Sequence, residues 1–64
     1  MVKDEDAYPI GTVVRIRATG QFAVIRKKAF LKDGKNFLNY LAEIEGKKGL
    51  YAIYHEDVDL ENLP

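Results

Sequence analysis

From Gly11 onward the apolar residues of this chain recur at every second position. Val14, Ile16 and Ala18 alternate with Val13, Arg15 and Arg17, so residues 12–18 read as a strand with one wet face. Tyr8-Pro9-Ile10-Gly11 forms the lead-in, because proline cannot donate to a ladder and sits best before or at the start of an edge strand. Thr19-Gly20 punctuates the run. A second strand reading then covers 21–32 and stops at Asp33-Gly34, a dipeptide that favours a two-residue hairpin turn. Beyond a third strand, Gly46-Lys47-Lys48-Gly49 makes the next turn. Leu50 to Tyr54 reads as a short aromatic-rich strand, His55-Glu56-Asp57 breaks it with one helical turn, and 58–61 hold a last short strand, with Leu63 placed to seal an end of the core. No window of eleven or more residues keeps an uninterrupted apolar 3.6-residue repeat bounded by caps.

With Asp33 and Gly34 at the centre of a type I′ turn, a uniform hairpin pairs Lys32 with Lys35, Phe30 with Phe37, Arg26 with Leu41, and Val24 with Glu43. Ala23, Ile25, Ala29, Leu38, Tyr40, Ala42 and Ile44 then share the core face, together with Lys27 and Asn36. The opposite face carries Arg26, Lys28, Asn39, Glu43 and Glu45, but also Phe22, Val24, Phe30, Phe37 and Leu41. That is too many apolar groups for a purely wet surface, so the hairpin is expected to bend and coil until its ends meet different neighbours. Five short strands in about sixty residues predict an all-β fold, a small closed barrel.

The order Pro9-x-Gly11-x-x-Val14-x-Ile16, Gly20-x-x-Ala23-x-Ile25, Tyr40-Leu41-Ala42-Glu43-Ile44-Glu45-Gly46 and Tyr54-His55-Glu56-Asp57 before Leu60-Glu61 resembles the SH3-like small barrel, in the style of KOW and Tudor-type domains. The resemblance covers nearly the whole chain and implies five strands with a one-turn helix before the last. The KOW style would imply contact with nucleic acid or with ribosomal and transcriptional partners, although the second glycine expected after Gly20 is Ala23 here. The chain is also similar to small SH3-like proteins of bacteria and their phages, which would imply an accessory or adaptor role.

Length and charge narrow the function classes. Sixty-four residues allow one domain, expected over 9–64 behind a flexible acidic leader at 1–8. A chain of this size leaves little interior for an enclosed catalytic cavity, and it holds neither Ser nor Cys, so the usual nucleophiles, disulfides and thiolate metal sites are missing. These features predict a non-enzymatic protein without cofactor, and the absence of cysteine fits the cytoplasm. No signal peptide or membrane span is readable. The formal net charge of zero conceals a pattern: residues 1–9 carry −2, residues 10–48 carry +6, and residues 49–64 carry −4.

Three constellations could carry chemistry. Arg26, Lys27, Lys28, Phe30, Lys32, Lys35 and Phe37 lie near the hairpin tip, where cations would neutralise phosphates and rings would stack on unpaired bases; the same residues also suit a protein partner or a second copy of the chain. The tyrosines Tyr8, Tyr51 and Tyr54, with Tyr40, could line a groove between loops. His55 with Glu56, Asp57 and Asp59 could be drawn as a metal site or acid–base dyad, but neighbouring strand residues point to opposite faces, and a cap on the one-turn helix is the simpler role. The sequence therefore predicts a protein-interaction module, with a KOW-like nucleic-acid binder as the alternative.

Overall fold

In the computed structural model, which describes residues 4–32, 34 and 37–61, all five strands join one antiparallel sheet. They are β1 (Val13–Ile16), β2 (Phe22–Phe30), β3 (Phe37–Ile44), β4 (Tyr51–Ile53) and β5 (Val58–Leu60). Their order across the sheet is β4-β3-β2-β1-β5. Single 3-10 turns at Asp4–Asp6 and His55–Asp57 complete the described secondary structure. The chain is all-β, as its alternation predicts, with one helical turn before the last strand.

The first strand is shorter than the pattern suggests. Beyond Ile16 the backbone turns, with Thr19 and Gly20 both donating their N–H groups to the Ile16 carbonyl. Gly20 takes φ +77°, a left-handed conformation that a residue with Cβ resists, so glycine closes this turn. Arg17 and Ala18, expected to extend the strand, therefore lie in the connection.

The β2–β3 hairpin departs from a uniform register in a compensated way. Val24 faces Glu43 and Phe30 faces Phe37, both as a uniform hairpin requires. Between them, Leu41 faces Lys27 instead of Arg26, and Ala29 faces Asn39. One extra residue in β2, Arg26, is balanced by one in β3, Leu38. The cause is polarity: uniform pairing would turn Lys27 toward the core with Leu38. The two bulges send Arg26 and Lys27 both to solvent, leave Leu38 47% exposed, and place Phe37 in the core at 3% exposure. They also bury the consecutive residues Asn39 and Tyr40, and the Asn39 amide is satisfied by the Tyr40 carbonyl at 3.0 Å. The turn residues Asp33, Lys35 and Asn36 lie outside the described residues, as do positions 1–3 of the expected leader and Leu63.

Bulged strands coil, and here the sheet wraps one core. Val14 from β1, Ala23 and Ile25 from β2, Phe37, Tyr40, Ala42 and Ile44 from β3, Ile53 from β4 and Val58 from β5 form a single buried cluster. Ala7 and Tyr8 pack against it from the N-terminal side. No helix among the described residues is long and apolar enough to cross a membrane.

Candidate binding groove and its supporting junction

The terminal strands of the sheet, β4 and β5, do not pair with each other, and a groove of about 520 Å³ lies at this seam. That volume is in the range of small-ligand sites. Ile16, Ala18, Ala52, Ile53 and Val58 give it an apolar floor, and Arg17, Tyr54 and Asp57 contribute the polar part of its lining. Tyr54 is extended (φ −98°, ψ 148°) at the position preceding the 3-10 turn and is 48% exposed.

Arg17 closes the β5 side. Its guanidinium donates to the carbonyls of Glu56 and Val58, and its Nε lies 3.2 Å from an Asp59 carboxylate oxygen. Its charge is thereby matched inside the domain. The carboxylates of Glu56 and Asp57, both exposed on the 3-10 turn, have no ion-pair partner among the described residues. Asp57 therefore brings an unpaired carboxylate to the groove.

Behind the 3-10 turn lies a buried junction. Tyr40 is fully buried at 0% exposure; its Oη accepts the Tyr8 backbone N–H at 2.8 Å and lies 2.7 Å from His55 Nδ1. The Tyr8 amide can only donate, so the hydroxyl proton of Tyr40 is free to point at Nδ1, which places the proton of a neutral His55 ring on Nε2. The rings pack as well, with Tyr8 4.7 Å from His55 and stacked 6.1 Å from Tyr40, and Phe37 4.5 Å from Tyr40. Burial of the Tyr40 hydroxyl pushes its pKa above the usual tyrosine value, only partly offset by the Tyr8 N–H bond. This junction fixes the N-terminal segment and the 3-10 turn in one place, and so holds one wall of the groove. Nothing in the sequence pattern marks His55 and Tyr40 as partners, because fifteen residues and a strand change separate them.

The three tyrosines expected at a groove part company. Tyr54 lines the seam, Tyr8 faces Tyr40 and His55, and Tyr51 carries the Lys47 ammonium 5.3 Å above its ring. The hairpin residues divide too. Lys27, Phe30 and Lys32 are exposed, while the Arg26 guanidinium is held by Glu43 at 2.8 Å and Phe37 belongs to the core. Lys28 is half-buried and engaged, and Lys35 lies outside the described residues. Around His55, no side-chain hydrogen bond caps the 3-10 turn. Among the described residues, no three of His, Asp and Glu stand together as a metal would require.

Compared with protein-family models, with curated proteins and with solved structures, the chain matches none.

Proposed function

We propose that this chain is a small, non-enzymatic protein-interaction module with an SH3-like build, and that its binding site is the groove between β4 and β5. The observation that carries the reading is the groove itself: an apolar floor with an exposed tyrosine, at the seam where both edge strands of the sheet end. The β4-β3-β2-β1-β5 order and the 3-10 turn before β5 support the SH3-like part of the reading. Sites that recognise peptides combine such a floor with an aromatic anchor and exposed strand edges. A KOW-like nucleic-acid function through the hairpin draws less support, because Phe37 is buried and Arg26 is already paired, which removes one of the two rings and one of the cations that would meet a strand.

The test is a selection of peptides from a randomised pool against the full chain, followed by affinity measurement on the wild type and on Tyr54→Ala. Loss of the anchor should weaken selected peptides by roughly tenfold or more. The reading fails if Tyr54→Ala binds them unchanged. It fails equally if the chain selects no peptide but binds oligonucleotides in a steeply salt-dependent way that Lys27→Glu with Lys32→Glu abolishes.

A further inference from the structure

Resting on that reading, we infer that the groove takes an extended, cationic segment of a partner protein, which adds as a strand to the free edge of β4 and places a lysine or arginine between Tyr54 and Asp57. Three observations converge on this occupant. As a terminal strand, β4 pairs among the described residues only with β3 (Tyr40 with Ile53, Leu41 with Ala52, Ala42 with Tyr51), so the N–H and C=O of Ala52 are turned away from the sheet, while the carbonyl of Tyr54, next in that row, is taken by the Asp57 amide. The opposite edge is not equivalent. Arg17 occupies the carbonyls of Glu56 and Val58, and the Val58 N–H is bonded to the His55 carbonyl. The strand acceptor of the seam is β4.

Charge selects the segment. With Arg17 paired to Asp59, Asp57 is the carboxylate that lines the groove, with Glu56 next to it in the turn; neither has an ion-pair partner among the described residues, and Lys47, over the Tyr51 ring of β4, lies outside the lining. The half-exposed Tyr54 ring beside them offers a π-face to a cation. An anionic segment would meet like charge at the same place, which costs affinity and slows encounter. Side chains alternate along a strand, so every second residue of the segment would reach the apolar floor of Ile16, Ala18, Ala52 and Ile53 while the others face the rim.

The experiment titrates the full chain, isotopically labelled, with two blocked six-residue peptides, one of three Lys-Val repeats and one of three Glu-Val repeats. The lysine peptide is expected to shift the backbone amides of Tyr51 to Tyr54 and Asp57, and to bind at least about tenfold more tightly than the glutamate peptide at low salt. Asp57→Lys should erase that preference, and Glu56→Lys should reduce it; both positions are exposed, so the fold is kept. Equal binding of the two peptides in the groove overturns the cationic occupant and leaves the interaction-module reading standing. Lysine-peptide shifts confined to other surfaces overturn the β4 site. Absence of binding by either peptide, with Tyr54-dependent binding of peptides from the randomised pool, overturns this inference alone. Failure of both experiments removes the reading beneath it as well.

Discussion

Replacing Tyr40 by Phe removes one oxygen atom from the centre of the junction and leaves the ring in place. Two hydrogen bonds go with it, to the Tyr8 amide at 2.8 Å and to His55 Nδ1 at 2.7 Å. Each is worth about 1 kcal/mol net. Tyr8 and His55 are half-buried, so water replaces part of the loss, and the expected destabilisation is about 1–2 kcal/mol. The packing against Phe37 and Tyr8 is retained, which separates this change from Tyr40→Ala, expected to cost about 3–5 kcal/mol. For a 64-residue chain with a total stability of roughly 3–10 kcal/mol, either is a large fraction. Thermal unfolding followed by circular dichroism should show Tyr40→Phe melting roughly 5–15 °C below the wild type. A double-mutant cycle with His55→Ala should give a coupling of about 1 kcal/mol. Strict additivity of the two changes, or an unchanged exchange rate of the Tyr8 amide in Tyr40→Phe, would refute the claim that this hydroxyl joins the N-terminal segment to the 3-10 turn.

The same hydroxyl makes the fold sensitive to alkali. Because its folded pKa is raised above 10.0, the unfolded chain ionises first, so stability is complete below pH 10 and falls as pH rises from there through the folded value. Denaturant unfolding across that range should show a steeper decline in the wild type than in Tyr40→Phe. In the core, Ile25 is fully buried, and Ile25→Ala should cost about 2–5 kcal/mol, enough to leave much of the chain unfolded at 37 °C by calorimetry. The Arg26–Glu43 pair is exposed on both sides, so Arg26→Ala should change stability by less than about 1 kcal/mol in chemical denaturation.

Alternation made the strands readable, because a buried face imposes a period of two whichever partner it meets. The glycine turns were readable for the same reason that Gly20 adopts φ +77°: few other residues accept that conformation. The uniform hairpin register was right from Ala23–Ile44 to Ile25–Ala42 and again at Phe30–Phe37 and wrong over Lys27 to Ala29, since bulges at Arg26 and Leu38 answer to a three-dimensional conflict over Lys27. A strand pattern does record that conflict, as apolar residues on both faces, but it does not say where the extra residues enter. The groove was less accessible still. Tyr54 was identifiable as an aromatic beside a turn, whereas the roles of Ile16, Arg17 and Ala52 depend on how far the sheet coils. Arg17 reads as one more surface cation in sequence, and only the fold brings it to the carbonyls of Glu56 and Val58.

The central claim is that β4 is the edge at which a partner strand docks, and amide hydrogen exchange of the full chain tests it most directly. With the three-repeat Lys-Val peptide at saturation, the outward-facing amide of Ala52 should slow by at least about tenfold relative to the free protein, while those of the Arg26–Lys32 stretch stay unchanged. Slowing confined to the hairpin, with β4 exchanging as it does without peptide, would contradict the account.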